Sequence, residues 1–347
     1  MKKRYFCLFL VFLLVVSCLL PACTNTGKQE TTGEPETTAT EPKNIIQKAD
    51  PSQDDTMNIL MIGNSFCTYY VQELAGMLAA DGIKANVCSV YYSGCTLEKH
   101  WQWWKSGKAN YTYYVADENG RVGTDDVNLE YCLLQENWDF ISLQEASGKA
   151  HKTDGEAHMN GTQLYWQELL AYLLEQFPQS RIGWHQTWTY QVDYGKSDFP
   201  MTPELQEERQ VQHDIFAKGI CDYFQGEVER IPSGRAWQNA RSKYGYDYLC
   251  CRLAKGSGKG DGYHDGDVGG GQYLNACVWY EVITGKSCLK NTYRPSYEAT
   301  AILSDELNSK LKVTLDGANY VLNEELISIL QNSAHEAVAE MGLTVTN

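Results

Sequence analysis

From Met57 onward, short apolar runs alternate with stretches of helical period, and that alternation points to βαβ units around a parallel sheet. Residues 57–62 (MNILMI) form a continuous run of the kind buried on both faces. Val71, Leu74, Ala75 and Leu78 follow at i, i+3, i+4 and i+7, one face of a helix that stops near Gly82. Further strands are expected over 85–91, 140–143, 181–184 and 228–231, and helices over 127–135, 164–177, 203–224, 268–283 and 324–339. Glu118-Asn119-Gly120 is a hairpin signal, and the segment around it is expected to lie over the surface as an insertion. The expectation is an α/β chain built on a central parallel five-stranded sheet.

The N-terminus reads as an export signal. Lys2, Lys3 and Arg4 precede an apolar stretch over 6–20, and Leu20-Pro21-Ala22-Cys23 follows. The pattern resembles a bacterial lipobox, with Pro21 in a slot usually held by a small residue. Residues 1–22 are therefore expected to be a lipoprotein signal peptide and Cys23 the lipid attachment point. An uncleaved anchor is the competing reading, since 5–22 just reaches the length of a short span; the flanks favour the lipoprotein. Either places the remainder outside the cytoplasm, held at the cell membrane. Residues 23–53, rich in Thr, Glu, Gly and Pro, read as a solvated tether. A domain over 54–300 and a C-terminal extension over 301–347 packing on it complete the organisation.

The formal net charge of −15 argues against a nucleic-acid partner and against a surface that lies on anionic lipid, so contact with the membrane is expected through the lipid alone. Twenty-three Tyr and nine Trp against nine Phe suit polar ligands such as sugars, because both rings carry a hydrogen-bonding tip. Nine cysteines remain beyond Cys23, an odd number with no CxxC pair, which leaves at least one thiol unpaired within the chain and makes a structural zinc site an unsuitable reading.

In an open parallel sheet, ligands bind at the carboxyl ends of the strands. The residues just past the expected strands are Gly63-Asn64-Ser65-Phe66, Ser93-Gly94-Cys95, Gln144-Glu145 and His185, and Asp261-Gly262-Tyr263-His264 precedes a late helix. Acyl transfer needs a hydroxyl nucleophile, a base, a carboxylate that orients the base, and donors for the developing oxyanion. Ser65 fits the nucleophile, His264 the base and Asp261 the orienting carboxylate. The backbone N–H groups of Ser65 and Gly94, with the Gln144 amide, fit the oxyanion donors. Asn64, Glu145, His185 and Trp188 are candidates to line the substrate site.

These blocks identify the chain as similar to the SGNH (GDSL-like) hydrolase superfamily over 57 to about 290, and most of all to a bacterial lipoprotein and secreted branch. The stretches IGNSF, YYSGCTLEKHW, DFISLQEASG, WHQTWTY, IPSGRAWQNAR and DGYH carry the likeness. It implies a flavodoxin-like three-layer α/β/α sandwich and a Ser-His-Asp triad of Ser65, His264 and Asp261, with Gly94 from the second block. GNS replaces the commoner GDS. The Gly-x-Asn-Asp usual in the third block is absent, and Gln144 is the nearest amide. GxSxG is absent as well, which argues against the α/β-hydrolase fold and its nucleophile elbow.

Taken alone, Ser65 after a strand reads as a helix cap and Gly94 as a turn glycine. Cys67 and Cys95 flank the site as alternative nucleophiles with no orienting partner of their own. Of Trp101, Trp103 and Trp104, two are expected in the core and at most one in the cleft wall. No metal or organic cofactor is implied. The acidic loop from Asp261 superficially resembles a calcium loop, but its twelfth position is Gln272 rather than the required Glu. The expected function is extracytoplasmic serine esterase activity, deacylating (deacetylating) carbohydrate; a glycan-binding surface protein with little or no hydrolysis is the alternative. Ser65 far from His264, or a Gln144 amide turned out of the cleft, favours binding alone.

Overall fold

A computed structural model describes residues 55–150, 154–245, 247–253, 260–343 and 345–346, all within one compact unit. The expected signal peptide, Cys23 and the tether lie outside the described residues.

The first half of the chain runs β1 (Met57–Gly63), α1 (Val71–Ala80), β2 (Ala85–Tyr91), α2 (Leu97–Ser106), β3 (Tyr111–Asp117), β4 (Gly120–Val127), α3 (Leu129–Leu133), β5 (Phe140–Leu143), α4 (Ser147–Ala150), α5 (Gly155–Gly161) and α6 (Gln163–Gln176). The second half continues with β6 (Arg181–His185), α7 (Pro203–Tyr223), β7 (Val228–Ile231), α8 (Ser233–Tyr244), α9 (Gly271–Thr284), β8 (Ser296–Glu298), α10 (Asp305–Leu311), β9 (Val313–Asp316), β10 (Asn319–Leu322) and α11 (Glu324–Ala339).

All five expected strands are present and pair in parallel, in the order β2-β1-β5-β6-β7. The chain leaves β1 toward β2 on one side and later returns to β5 on the other. The carboxyl end of β1 is therefore the switch point, where an open sheet leaves a crevice. Alternation along β1 sends Ile59 and Met61 into one apolar layer, with α1, α8, α9 and α11, and Leu60 and Ile62 into the other, with α2, α6 and α7. Helices on both faces make the three layers.

The hairpin does not lie over the surface as expected. β3 pairs antiparallel with β2, and β4 with β3, so the central sheet grows to seven strands. Tyr111, Tyr113 and Ala116 point into the buried layers, and that apolar alternation is what pairs the segment to the sheet edge rather than leaving it solvated. A second sheet, β8-β10-β9, was not apparent in the sequence because each strand is only three or four residues long.

Asn323 caps α11 by accepting the Leu326 N–H at 3.0 Å, and Glu324 and Glu325 complement its N-terminal dipole. Leu326, Ile327, Leu330, Ala334 and Val338 of this helix are buried against α8 and α9. Leu330 has no exposed surface. Leu330→Ala should cost about 2–5 kcal/mol through lost burial plus a residual cavity. Urea denaturation reads this as a lowered midpoint; a loss under about 0.5 kcal/mol, the scale of a surface substitution, would place α11 outside the cooperative core.

Candidate active site

Two turns present the chemistry. β1 ends at Gly63, and Asn64, rather than Ser65, caps the single turn of 3-10 helix that follows, its side chain accepting the Phe66 N–H at 3.0 Å. Ser65 is thereby the first residue of that turn. Its hydroxyl stands at the switch point, with 7% of the residue exposed. The second turn is made by Asp261, whose Oδ1 accepts the main-chain N–H of Tyr263 at 3.3 Å and of His264 at 3.0 Å. Gly262 at φ +84° supplies the left-handed step that lets the carboxylate fold back over its own turn.

The two turns meet. Ser65 Oγ lies 2.6 Å from His264 Nε2, and His264 Nδ1 lies 2.6 Å from Asp261 Oδ2. In the order needed for proton transfer, the hydroxyl donates to Nε2 and Nδ1–H donates to the carboxylate. Burial pushes the Asp261 carboxyl up, but the hydrogen bonds from His264, its charge and the nearby Arg252 guanidinium overcome that and hold the group well below the usual carboxylate range. An anionic partner fixes the tautomer and stabilises the imidazolium when it forms. Rings enclose the imidazole: Tyr263 at 4.2 Å, Tyr69 at 5.2 Å and Phe66 at 5.6 Å between centroids.

The hydroxyl faces a cavity of about 340 Å³ whose lining includes Asn64, Ser65, Ser93, Gly94, Ser147, Lys149, Tyr190, Tyr263 and His264. Among the described residues, neither the Ser65 nor the Gly94 amide nitrogen has a hydrogen-bond partner. Gly94 has φ +61°, a turn geometry that disfavours a side chain, so its backbone is bare on the cavity side. A larger cavity of about 660 Å³ between the 192–203 loop, α7 and α8 contains none of the predicted site residues. Chemistry, not size, makes the smaller one the candidate site.

Four expectations need correction. Gln144 is 1% exposed and does not line the cavity; its Nε2 donates to Asn64 Oδ1 at 2.9 Å and is not available to an oxyanion. Glu145 is also buried, because its Oε1 accepts the Leu97 N–H at the start of α2 at 3.1 Å and its Oε2 pairs with His158 at 3.3 Å. His185 lies beneath the site between Gln144 and Ser233, and burial pushes its imidazole down to about 3, so the ring is neutral. Trp188 is buried because its indole N–H donates to the Tyr263 carbonyl at 2.7 Å while its ring stacks on Trp237 at 4.4 Å. It braces the site from behind.

None of Trp101, Trp103 and Trp104 lines the cavity. The thiols of Cys67 and Cys95 are buried and burial pushes both up, that of Cys95 to about 12, so neither offers a thiolate nucleophile. The nine cysteines of the described residues are unpaired. Tyr190 and Tyr263 are aromatic lining residues that the sequence does not single out for the site, and Ser147 and Lys149 join them there. Both tyrosines stand inside the quoted blocks, in WHQTWTY and DGYH, and the signal was their place beside Trp188 and His264.

Residues 58–305 match the family model described as "Domain of unknown function (DUF4886)". Among solved structures, a DUF4886 family protein from Bacteroides uniformis is 25% identical, with a TM-score of 0.63 over 84% of this chain and 98% of that one. The lipase/acylhydrolase from Enterococcus faecalis is 14% identical, with a TM-score of 0.41 over 66% of this chain and 96% of that one. An acetylxylan esterase from Geobacillus stearothermophilus is 12% identical, with a TM-score of 0.38 over 65% of this chain and 91% of that one. No curated protein matches the chain. With the family model spanning well over half of its length, the chain belongs to the DUF4886 family.

Proposed function

We propose that this protein is a serine esterase of the SGNH type, acting outside the cytoplasm on acylated carbohydrate and held at the membrane by lipid on Cys23. The observation that carries the enzymatic reading is the hydroxyl–imidazole–carboxylate series of Ser65, His264 and Asp261, each link 2.6 Å long. In this reading Ser65 Oγ attacks the ester carbonyl while His264 takes its proton. The backbone N–H groups of Ser65 and Gly94 receive the negative charge on the carbonyl oxygen. His264 returns the proton to the departing alcohol, and water then releases the acid from Ser65 by the same steps. The glycan substrate rests on the polar and tyrosine lining of the cavity together with the sequence pattern.

The orientation of Gln144 favours a second reading, glycan binding with weak hydrolysis, because a side-chain oxyanion donor is worth about 10²–10³ in rate. The triad series outweighs it, since binding alone needs no such alignment.

With a small acetyl ester and the soluble domain 54–347, Ser65→Ala should lower kcat at least about 10⁴-fold at unchanged thermal stability. Equal rates for variant and parent would remove Ser65 from the mechanism. Asp261→Asn should cost about 10³–10⁴-fold, because the amide favours the wrong imidazole tautomer; a loss under about tenfold would show the carboxylate to be dispensable.

The pH dependence follows from the same pair. Asp261, held low, stays ionised across any ordinary assay, so its charge does not shape the profile. His264 must be neutral to accept the Ser65 proton. The ratio kcat/KM should therefore fall on acidification with a slope of one, reporting a single proton uptake. A profile flat from about pH 5 to 8 would count against His264 as the base.

A further inference from the structure

Behind the site runs a chain of four side chains drawn from four strand ends. Ser233 Oγ lies 3.0 Å from His185 Nε2, His185 Nδ1 lies 2.9 Å from Gln144 Oε1, Gln144 Nε2 lies 2.9 Å from Asn64 Oδ1, and Asn64 Nδ2 lies 2.9 Å from the Cys95 carbonyl. Backbone groups set the direction of all of them. The Phe66 N–H at 3.0 Å can only donate to Asn64 Oδ1, and the Cys95 carbonyl can only accept from Asn64 Nδ2. The Gln144 nitrogen must then face Asn64 and its oxygen must face His185. That oxygen requires a hydrogen on Nδ1, which leaves Nε2 of the neutral ring to accept from the Ser233 hydroxyl. Every donor points the same way, the arrangement in which successive hydrogen bonds polarise one another. All four residues are buried, at 2% exposure or less. Gly63 belongs to the same device: a Cβ there would come within 2.6 Å of Gln144 Cδ, so only glycine lets that amide lie across the end of β1.

The last link joins the loops that carry the two backbone oxyanion donors, and the link before it holds Asn64 from the end of β5. Asn64 precedes Ser65, and Cys95 follows Gly94. We propose that Ser233, His185 and Gln144 are positioning residues that clamp Asn64 between the two loops and so set the spacing of the Ser65 and Gly94 N–H groups. This rests on the esterase reading for its consequence, although not for its geometry.

Two readouts test it. The first is hydrogen exchange of the Asn64 side-chain amide, followed by NMR in the soluble domain. His185→Met, which fills the space without a donor, should speed that exchange at least about tenfold. His185→Gln, which restores a donor toward Gln144, should return it to within about twofold of the parent. The second is hydrolysis of a small acetyl ester. His185→Met should lower kcat about 30-fold with KM within about twofold, in line with the roughly 10²-fold cost of an ångström-scale misplacement, and His185→Gln should recover most of it. Equal losses in both variants would mean packing alone, and Asn64 exchange unchanged in His185→Met would overturn the clamp even with hydrolysis impaired. If His185→Met does not fold, Ser233→Ala decides: slower hydrolysis and faster Asn64 exchange support the clamp, and no change in the exchange overturns it. A parent without esterase activity whose Asn64 exchange still responds to His185→Met refutes the esterase reading and leaves the clamp standing.

Discussion

The site depends on the burial of β1 on both faces. With Leu60 and Ile62 committed to one apolar layer and Ile59 and Met61 to the other, slipping the strand by one residue would exchange the two sets. Its register against β2 and β5 is thereby set, and so is the height at which Gly63-Asn64-Ser65 emerges. Ser65 therefore follows closely on a strand whose position is set by burial on both faces. The imidazole arrives from far along the chain, and Asp261 orients it through its own turn rather than through a distant element.

Much of this was legible in the amino-acid sequence, for identifiable reasons. Strands alternating with stretches of helical period gave the sheet away, most plainly where MNILMI over 57–62 forms a continuous apolar run, while VERI over 228–231 carries two charges and was placed by its position after a helix. The Asp261–His264 spacing is local, so a turn of known chemistry predicts the contact without a fold. Gly94 was legible as a bare backbone beside a strand end. What was lost concerns orientation at long range. Gln144 carries an amide suited to an oxyanion, and nothing near it in the chain reveals that its partners are Asn64 and His185, at separations of 80 and 41 residues. His185 ends β6 and Trp188 follows it in an aromatic run that reads equally as cavity wall or as core. Their hydrogen bonds to Ser233 and Tyr263 decide for the core, and neither partner is predictable from periodicity. The β3–β4 hairpin was legible as a hairpin, but its pairing with β2 depends on the Tyr111 and Tyr113 side chains finding the buried layer.

The departures from the expected third block fit together physically. A long amide at Gln144 can reach Asn64 only because Gly63 offers no Cβ, and once there it is shielded from substrate by the residue it holds. On the proposed mechanism, losing a side-chain donor removes one hydrogen bond to the developing oxyanion, and the two donors that remain would be main-chain groups, with no rotamer to order at the moment of reaction. Their value would then depend on how closely the two loops keep their separation, and a direct hydrogen bond of 2.9 Å from Asn64 to the Cys95 carbonyl ties them together. Preorganised donors in a site shielded from water are worth more than the same groups in solvent. In the proposed reading, a chain that gives up a third donor while bracing the other two would still present fixed donors to the oxyanion, which is why the triad geometry weighs more heavily than the missing amide.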